Sequence, residues 1–144
     1  LLAKDKERIQ RHIGQWKHNR LLIAKIPASH PDWIVTVAFY TAVQAVDAAL
    51  AFEDAPAWNH DTRFAALASI HRLSALRGYY HPLYDLSRKV RYTADPNTWI
   101  LPRDIDSKVI RSLLLPLEKS VEKILGRKLE LPALNLSHLE NVTT

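Results

Sequence analysis

The sequence predicts an all-α protein, an antiparallel bundle of four to five helices. Three observations carry that expectation. Leu2, Ile9, Trp16 and Ile23 recur every seven residues in a proline-free stretch from Lys4 to Ile26. Trp33 to Phe52 is an apolar run with Asp47 as its single charge. Ile110, Leu114, Leu117, Val121 and Ile124 keep helical spacing towards the C-terminus. On this reading residues 1–126 form one helical-bundle domain and residues 127–144 a C-terminal tail, where Pro132 interrupts a Leu-rich stretch whose packing the sequence leaves open.

The first helix is amphipathic, with Ile13 and Ile26 filling turns beside the seven-residue stripe. Lys4, Arg8, Arg11, Lys17 and Lys25 take the faces the stripe leaves free. Ser29-His30-Pro31-Asp32 is a start signal, in which Ser29 can cap, Pro31 fits a first turn and Asp32 suits the positive helix end. The second helix is long enough to raise the question of a membrane span. Its abundant Ala, and the polar stripe of Thr36, Tyr40, Gln44 and Asp47 at intervals of four, four and three, fit the central helix of a bundle instead. That stripe either meets neighbouring helices or lines a cleft.

Asn59-His60-Asp61 caps a third helix with Phe64, Leu67, Ala68 and Leu73 on its apolar face, and Gly78 is expected to interrupt it. A fourth helix restarts near Pro82 on a core stripe of Leu83, Leu86 and Val90. Tyr84, Arg88 and Arg91 run along its flank at intervals of four and three. Asp95-Pro96-Asn97 and a further proline make residues 93–102 a loop. The last helix starts near Pro102, with Pro116 as a candidate kink and Gly126 as its stop.

Composition is that of a folded chain: 144 residues, 47% hydrophobic and 24% charged. Without cysteine there is no disulfide, thiolate metal site or cysteine nucleophile. Three scattered glycines, Gly14, Gly78 and Gly126, leave no phosphate-cradling loop or dinucleotide fingerprint. Seven histidines occur without an HExxH or Glu-x-x-His pair, so neither a metal nor another cofactor is expected, and Asp104 and Asp106 read as helix-start carboxylates. The chain starts at Leu1 and has no methionine, so it is expected to lack the start of its reading frame. No secretory signal is legible, which makes cytoplasm the default location and the sequons at Asn135 and Asn141 chance occurrences.

The net charge of +5 is concentrated at one end, since residues 1–30 hold seven Lys or Arg against two acids. A basic helix on a neutral body can meet phosphate or an anionic surface, or it can simply be solvated. Membrane attachment is the weaker expectation, because a bundle core consumes the apolar stripe with Trp16. Arginine grips phosphate bidentately, tyrosine stacks on bases, and histidine exchanges protons near neutral pH. RNA or a nucleotide is therefore a candidate ligand. The competing reading pairs Arg88 and Arg91 with Asp47, Asp85 or Asp95 and leaves the tyrosines at the edge of the core.

Four segments together resemble the HEPN family of small helical bundles: residues 32–42 with Phe39-Tyr40, His60-Asp61-Thr62-Arg63, Tyr84-Asp85-Leu86-Ser87-Arg88-Lys89-Val90-Arg91-Tyr92, and residues 109–125. They span most of residues 30–126. The resemblance implies a HEPN-like bundle that binds RNA or nucleotides, forms a homodimer, and acts either as a metal-independent ribonuclease of the toxin-antitoxin kind or as the partner of a small nucleotidyltransferase. It assigns Arg88, Arg91 and His60 to catalysis, and Tyr40, Arg63, Tyr84 and Tyr92 to ligand binding. The chain departs from the nuclease pattern because no histidine follows Arg88 or Arg91 until His138. Gln44 also stands where relatives often carry a histidine, so a non-enzymatic homodimeric or partner-binding module is the alternative expectation.

Overall fold

In a computed structural model the described residues are 3–140, with side chains from residue 5. Leu2 of the first-helix stripe, the Lys4 side chain and Asn141 lie outside them. Five α-helices are present: α1 (Ala3–Ile23), α2 (Pro31–Phe52), α3 (His60–Ser69), α4 (Arg77–Arg91) and α5 (Leu115–Leu125). No strand occurs among the described residues.

Helix α1 buries Ile9, Ile13, Trp16, Arg20 and Ile23, a stripe spaced by four and three. It stops three residues before the expected end, because Pro27 disfavours helical geometry at Ile26 and only single-turn hydrogen bonds continue from Lys25 and Ile26. A short turn then sends α2 back along α1, as contacts from Arg8 to Ala55 and from His12 to Gln44 show. The Ser29 hydroxyl does not cap. It pairs with His30 Nδ1, while His30 takes the N-cap position without a side-chain bond and Pro31 fills the first turn.

Helix α2 is the centre of the molecule. Among the described residues it alone has the length and apolarity of a membrane span, and 83% of its most apolar stretch is buried inside the protein. Alanines at 38, 42, 45, 48, 49 and 51 are all buried. Such small side chains let α1, α4 and α5 pack closely around α2. The polar stripe does not form one cleft. Thr36 bonds back to the Asp32 carbonyl at 2.7 Å, Gln44 meets His12 on α1, Asp47 meets Arg63 on α3, and Tyr40 faces α4.

Asn59 caps α3 as expected, its Oδ1 accepting from Thr62 N at 2.8 Å. The break after α3 falls at Ile70, whose backbone is extended (φ −92°, ψ 108°), and not at Gly78. A 3-10 turn over His71–Leu76 buries Leu73 and Leu76, and α4 begins at Arg77, five residues before Pro82. Pro82 therefore lies inside α4 and cannot donate to the Gly78 carbonyl. Gly78 is exposed, so water can take that bond. The buried stripe of α4 is Tyr80, Leu83, Ser87 and Val90, with Leu86 at its edge.

The closing helix is not uniform. A 3-10 turn at Pro102–Asp104 leads into a π-helical segment, Asp106–Leu114, which continues into α5. Pro116 has no N–H, and its ring crowds the carbonyl four residues back. The wider π register just upstream accommodates it, and the Ser112 hydroxyl bonds the Ser107 carbonyl five residues back in that register. Gly126 ends α5 in the left-handed conformation (φ 73°), with Gly126 N on Lys123 O and Arg127 N on Glu122 O, a Schellman stop.

Residues 127–140 of the tail have no α-helix, end in a 3-10 turn at Ser137–Leu139 and are part of the core: Leu129, Leu136 and Leu139 are buried. Leu129 N donates to Glu122 Oε2 at 2.5 Å, Arg20 donates to the Pro132 carbonyl, and His138 Nε2 meets the Ile26 carbonyl. Through Arg20 the tail joins a buried polar knot. Glu118 Oε2 accepts from Trp16 Nε1 at 2.6 Å and from Arg20 Nε at 2.9 Å, so one carboxylate joins α1 to α5 and, through Arg20, to the tail.

Burial raises the Glu118 carboxyl to about 7, and Arg20 and Trp16 pull against that rise only in part. A carboxyl that binds its proton more tightly when folded adds stability below the unfolded value of 4.5 and loses it as pH rises through 7. Relative to Glu118→Gln, the native chain should thus gain on the order of 3 kcal/mol of unfolding free energy between pH 8 and pH 4. Urea titrations across that range check it; a constant difference between the two proteins would refute the assignment.

Candidate functional site

The expected site residues sit where α2, the start of α3 and α4 meet. Phe39 is the floor, fully buried, with ring centroids 5.3 Å from Tyr40, 5.5 Å from His60 and 5.7 Å from Tyr84. Tyr40 follows Phe39 and so leaves the core for the surface. His60 is the first residue of α3, and its imidazole packs 4.8 Å from the Tyr84 ring. Tyr84, Arg88 and Arg91 share the outer flank of α4, as their spacing predicts.

Five of the seven expected residues come together: Tyr40, His60, Tyr84, Arg88 and Arg91. Arg91 Nη1 donates to the Tyr40 hydroxyl at 3.0 Å and its Nε to the Ser87 carbonyl at 3.1 Å, which fixes the guanidinium plane. Arg88 lies over the Tyr84 ring at 5.7 Å, with a long bond to its hydroxyl at 3.3 Å. Neither guanidinium has a carboxylate partner among the described residues, so the expected competition from Asp47, Asp85 or Asp95 does not materialise. Asp95 instead accepts from Asn97 N in its own turn.

The other two residues stand apart. Tyr92 is the C-cap of α4 and 78% exposed; it borders the cluster by packing 5.7 Å from the Arg91 guanidinium. Arg63 is committed to an ion pair: Nε and Nη2 grip Asp47 Oδ1 and Oδ2 at 2.7 and 3.0 Å, with both side chains largely buried. A carboxylate within an apolar helix needs such a partner, and the bidentate geometry uses the face of Arg63 that would otherwise grip phosphate. The pair clamps α3 against α2 one turn beyond His60.

The His60 imidazole is biased towards its neutral form. Burial is the first cause, followed by the positive charges of Arg63 and Arg91 and then, against the pull of Asp61, Arg88. Its Nδ1 lies 3.2 Å from the buried Tyr80 hydroxyl. Burial pushes the Tyr80 phenol upward, so that hydroxyl stays protonated. A neutral imidazole can accept a proton, and a guanidinium without a carboxylate partner among the described residues can stabilise an anion. Among the described residues no group of His, Asp and Glu is arranged to hold a metal ion.

Tyr80, Gln44 and His12 complete the surroundings; Gln44 stands in the polar stripe expected of α2, whereas Tyr80 and His12 are not expected there. Tyr80 sits four residues before Tyr84, a spacing that signals a shared helix flank. The His12–Gln44 bond, 2.8 Å across α1 and α2, has no local signal at all. Comparisons with protein families, curated proteins and solved structures find no match to this chain.

If Arg91 faces His60 as described, Arg91→Gln should raise the imidazole pKa towards its ordinary value of 6.5. Following the His60 ring protons by NMR across pH 4–8 measures it. An unchanged titration would mean that the two groups do not share a site.

Proposed function

We propose that this chain is a HEPN-like RNA- or nucleotide-binding protein whose ligand phosphate sits between Arg88 and Arg91. The observation that carries the reading is the pair of guanidiniums, held by tyrosines and free of carboxylates, beside a half-buried imidazole kept neutral. Guanidiniums without acidic partners retain their full attraction for phosphate, and Tyr40 and Tyr84 add faces for stacking.

The same groups support metal-independent cleavage of RNA. His60 would take the proton of a ribose 2′-hydroxyl as its oxygen bonds to the adjacent phosphorus. Arg88 and Arg91 would hold the charge that develops on the phosphoryl oxygens, and the 5′-oxygen would leave with a proton from water. Chelator-treated protein and an Arg88→Ala/Arg91→Ala variant, incubated side by side with total RNA, test the reading. Binding should fall at least tenfold in the variant and cleavage, where present, by 10²-fold or more. Equal retention of RNA by both proteins would end it.

A second reading rests on a different observation. Trp33, Val37, Tyr40 and Gln44 form the one stripe of α2 that the bundle leaves open, with Trp33 55% and Tyr40 42% exposed. This face suits a homodimer seam, or the docking of a nucleotidyltransferase or antitoxin chain of the kind the HEPN resemblance suggests. Light scattering over a concentration series should show a dimer that Trp33→Glu dissociates; a monomer at every concentration counts against it.

A further inference from the structure

We propose that the cavity of about 510 Å3 between the N-terminal half of α1 and the loop joining α2 to α3 is a second nucleotide subsite, in which Trp58 stacks a base and Arg8 holds the adjoining phosphate. The proposal rests on the RNA-binding reading above and extends it: a strand lying on α2 would run from Arg91 to Arg8.

The two walls of the cavity differ in chemistry. On the loop wall Trp58 is 82% exposed, the most exposed large hydrophobic side chain among the described residues, and Pro56 stiffens the chain just before it. An indole held in water is an open stacking surface, and every base offers it a π face. On the α1 wall Arg8 Nη2 donates to the Ala55 carbonyl at 2.7 Å. That single bond aims the guanidinium, and its Nε and Nη1 make no hydrogen bond among the described residues. His12 donates from Nδ1 to Gln44 Oε1, which leaves Nε2 as an acceptor for a ribose hydroxyl.

Asp54 also lines the cavity, from the loop side, in a left-handed conformation (φ 55°). Its carboxylate repels phosphate but accepts from base amino groups. It therefore orients the nucleotide with its base against the loop and its phosphate against α1.

Continuity joins the two sites. Gln44, which holds His12, is one turn from Tyr40, which holds Arg91, about 6 Å along the axis of α2. Both side chains lie on the one stripe of α2 that the bundle leaves open, so a single strand can reach both anchors without crossing a buried element.

Anisotropy of a labelled adenosine octamer at fixed low salt tests the subsite with the intact chain, Trp58→Ala, Trp58→Phe and Arg88→Ala/Arg91→Ala. Trp58 is exposed, so its substitution leaves the core intact. Trp58→Ala should weaken binding about 5- to 160-fold, the range of one lost base stack, and Trp58→Phe should restore most of it. Loss in the arginine variant with less than twofold change in Trp58→Ala would overturn the subsite and leave the first reading standing. Loss in Trp58→Ala with an unchanged arginine variant would keep the subsite and overturn the first reading. No binding by the intact chain would overturn both.

Discussion

The ion pair between Asp47 and Arg63 is the constraint on which the site depends. A carboxylate placed among alanines and valines in the C-terminal half of α2 cannot be left unpaired, since an isolated buried charge costs several kcal/mol. Arg63 meets it with two nitrogens and in doing so fixes α3 on α2. His60 opens α3 one turn earlier, so this pair places the imidazole over Phe39 and against Tyr84. Arg63 thus positions the imidazole through its ion pair, while Arg88 and Arg91 have no carboxylate partner among the described residues.

A second buried carboxylate organises the opposite side of the bundle. Glu118 is 2% exposed, and its Oε1 has no partner among the described residues while Oε2 takes both Trp16 and Arg20. Burial outweighs the two donors and raises its pKa, whereas a carboxylate bonded through both oxygens would be better satisfied. Arg20 also reaches the tail, so the first helix, the last helix and the final buried leucines meet at one polar point. Residues 127–140 therefore belong to the same core as the helices before them.

The central position of α2 links these two sides. Its small residues let neighbours close in, and what remains open is a stripe of four side chains from Trp33 to Gln44. Tyr40 and Gln44 on that stripe each hold a basic residue of a flanking helix, Arg91 on α4 and His12 on α1. A guanidinium and an imidazole consequently flank that stripe, although they come from segments far apart in the chain.

Local pattern was enough for the helices, the apolar stripe of α1, the Asn59 cap, the Gly126 stop and the grouping of Tyr84 with Arg88 and Arg91, because each is fixed by residues within a turn or two of one another. Pattern failed where two local rules competed: Gly78 reads as a breaker, yet the chain breaks at Ile70, and Pro116 reads as a kink, yet a π register upstream absorbs it. Only the tertiary structure decided which charges find partners. Asp47 chose Arg63 over the arginines of α4, and Glu118 drew in Trp16 and Arg20 from about a hundred residues away. Helical spacing specifies the face on which a side chain lies. The partner across that face is set by how whole helices pack, and no short stretch of sequence contains it.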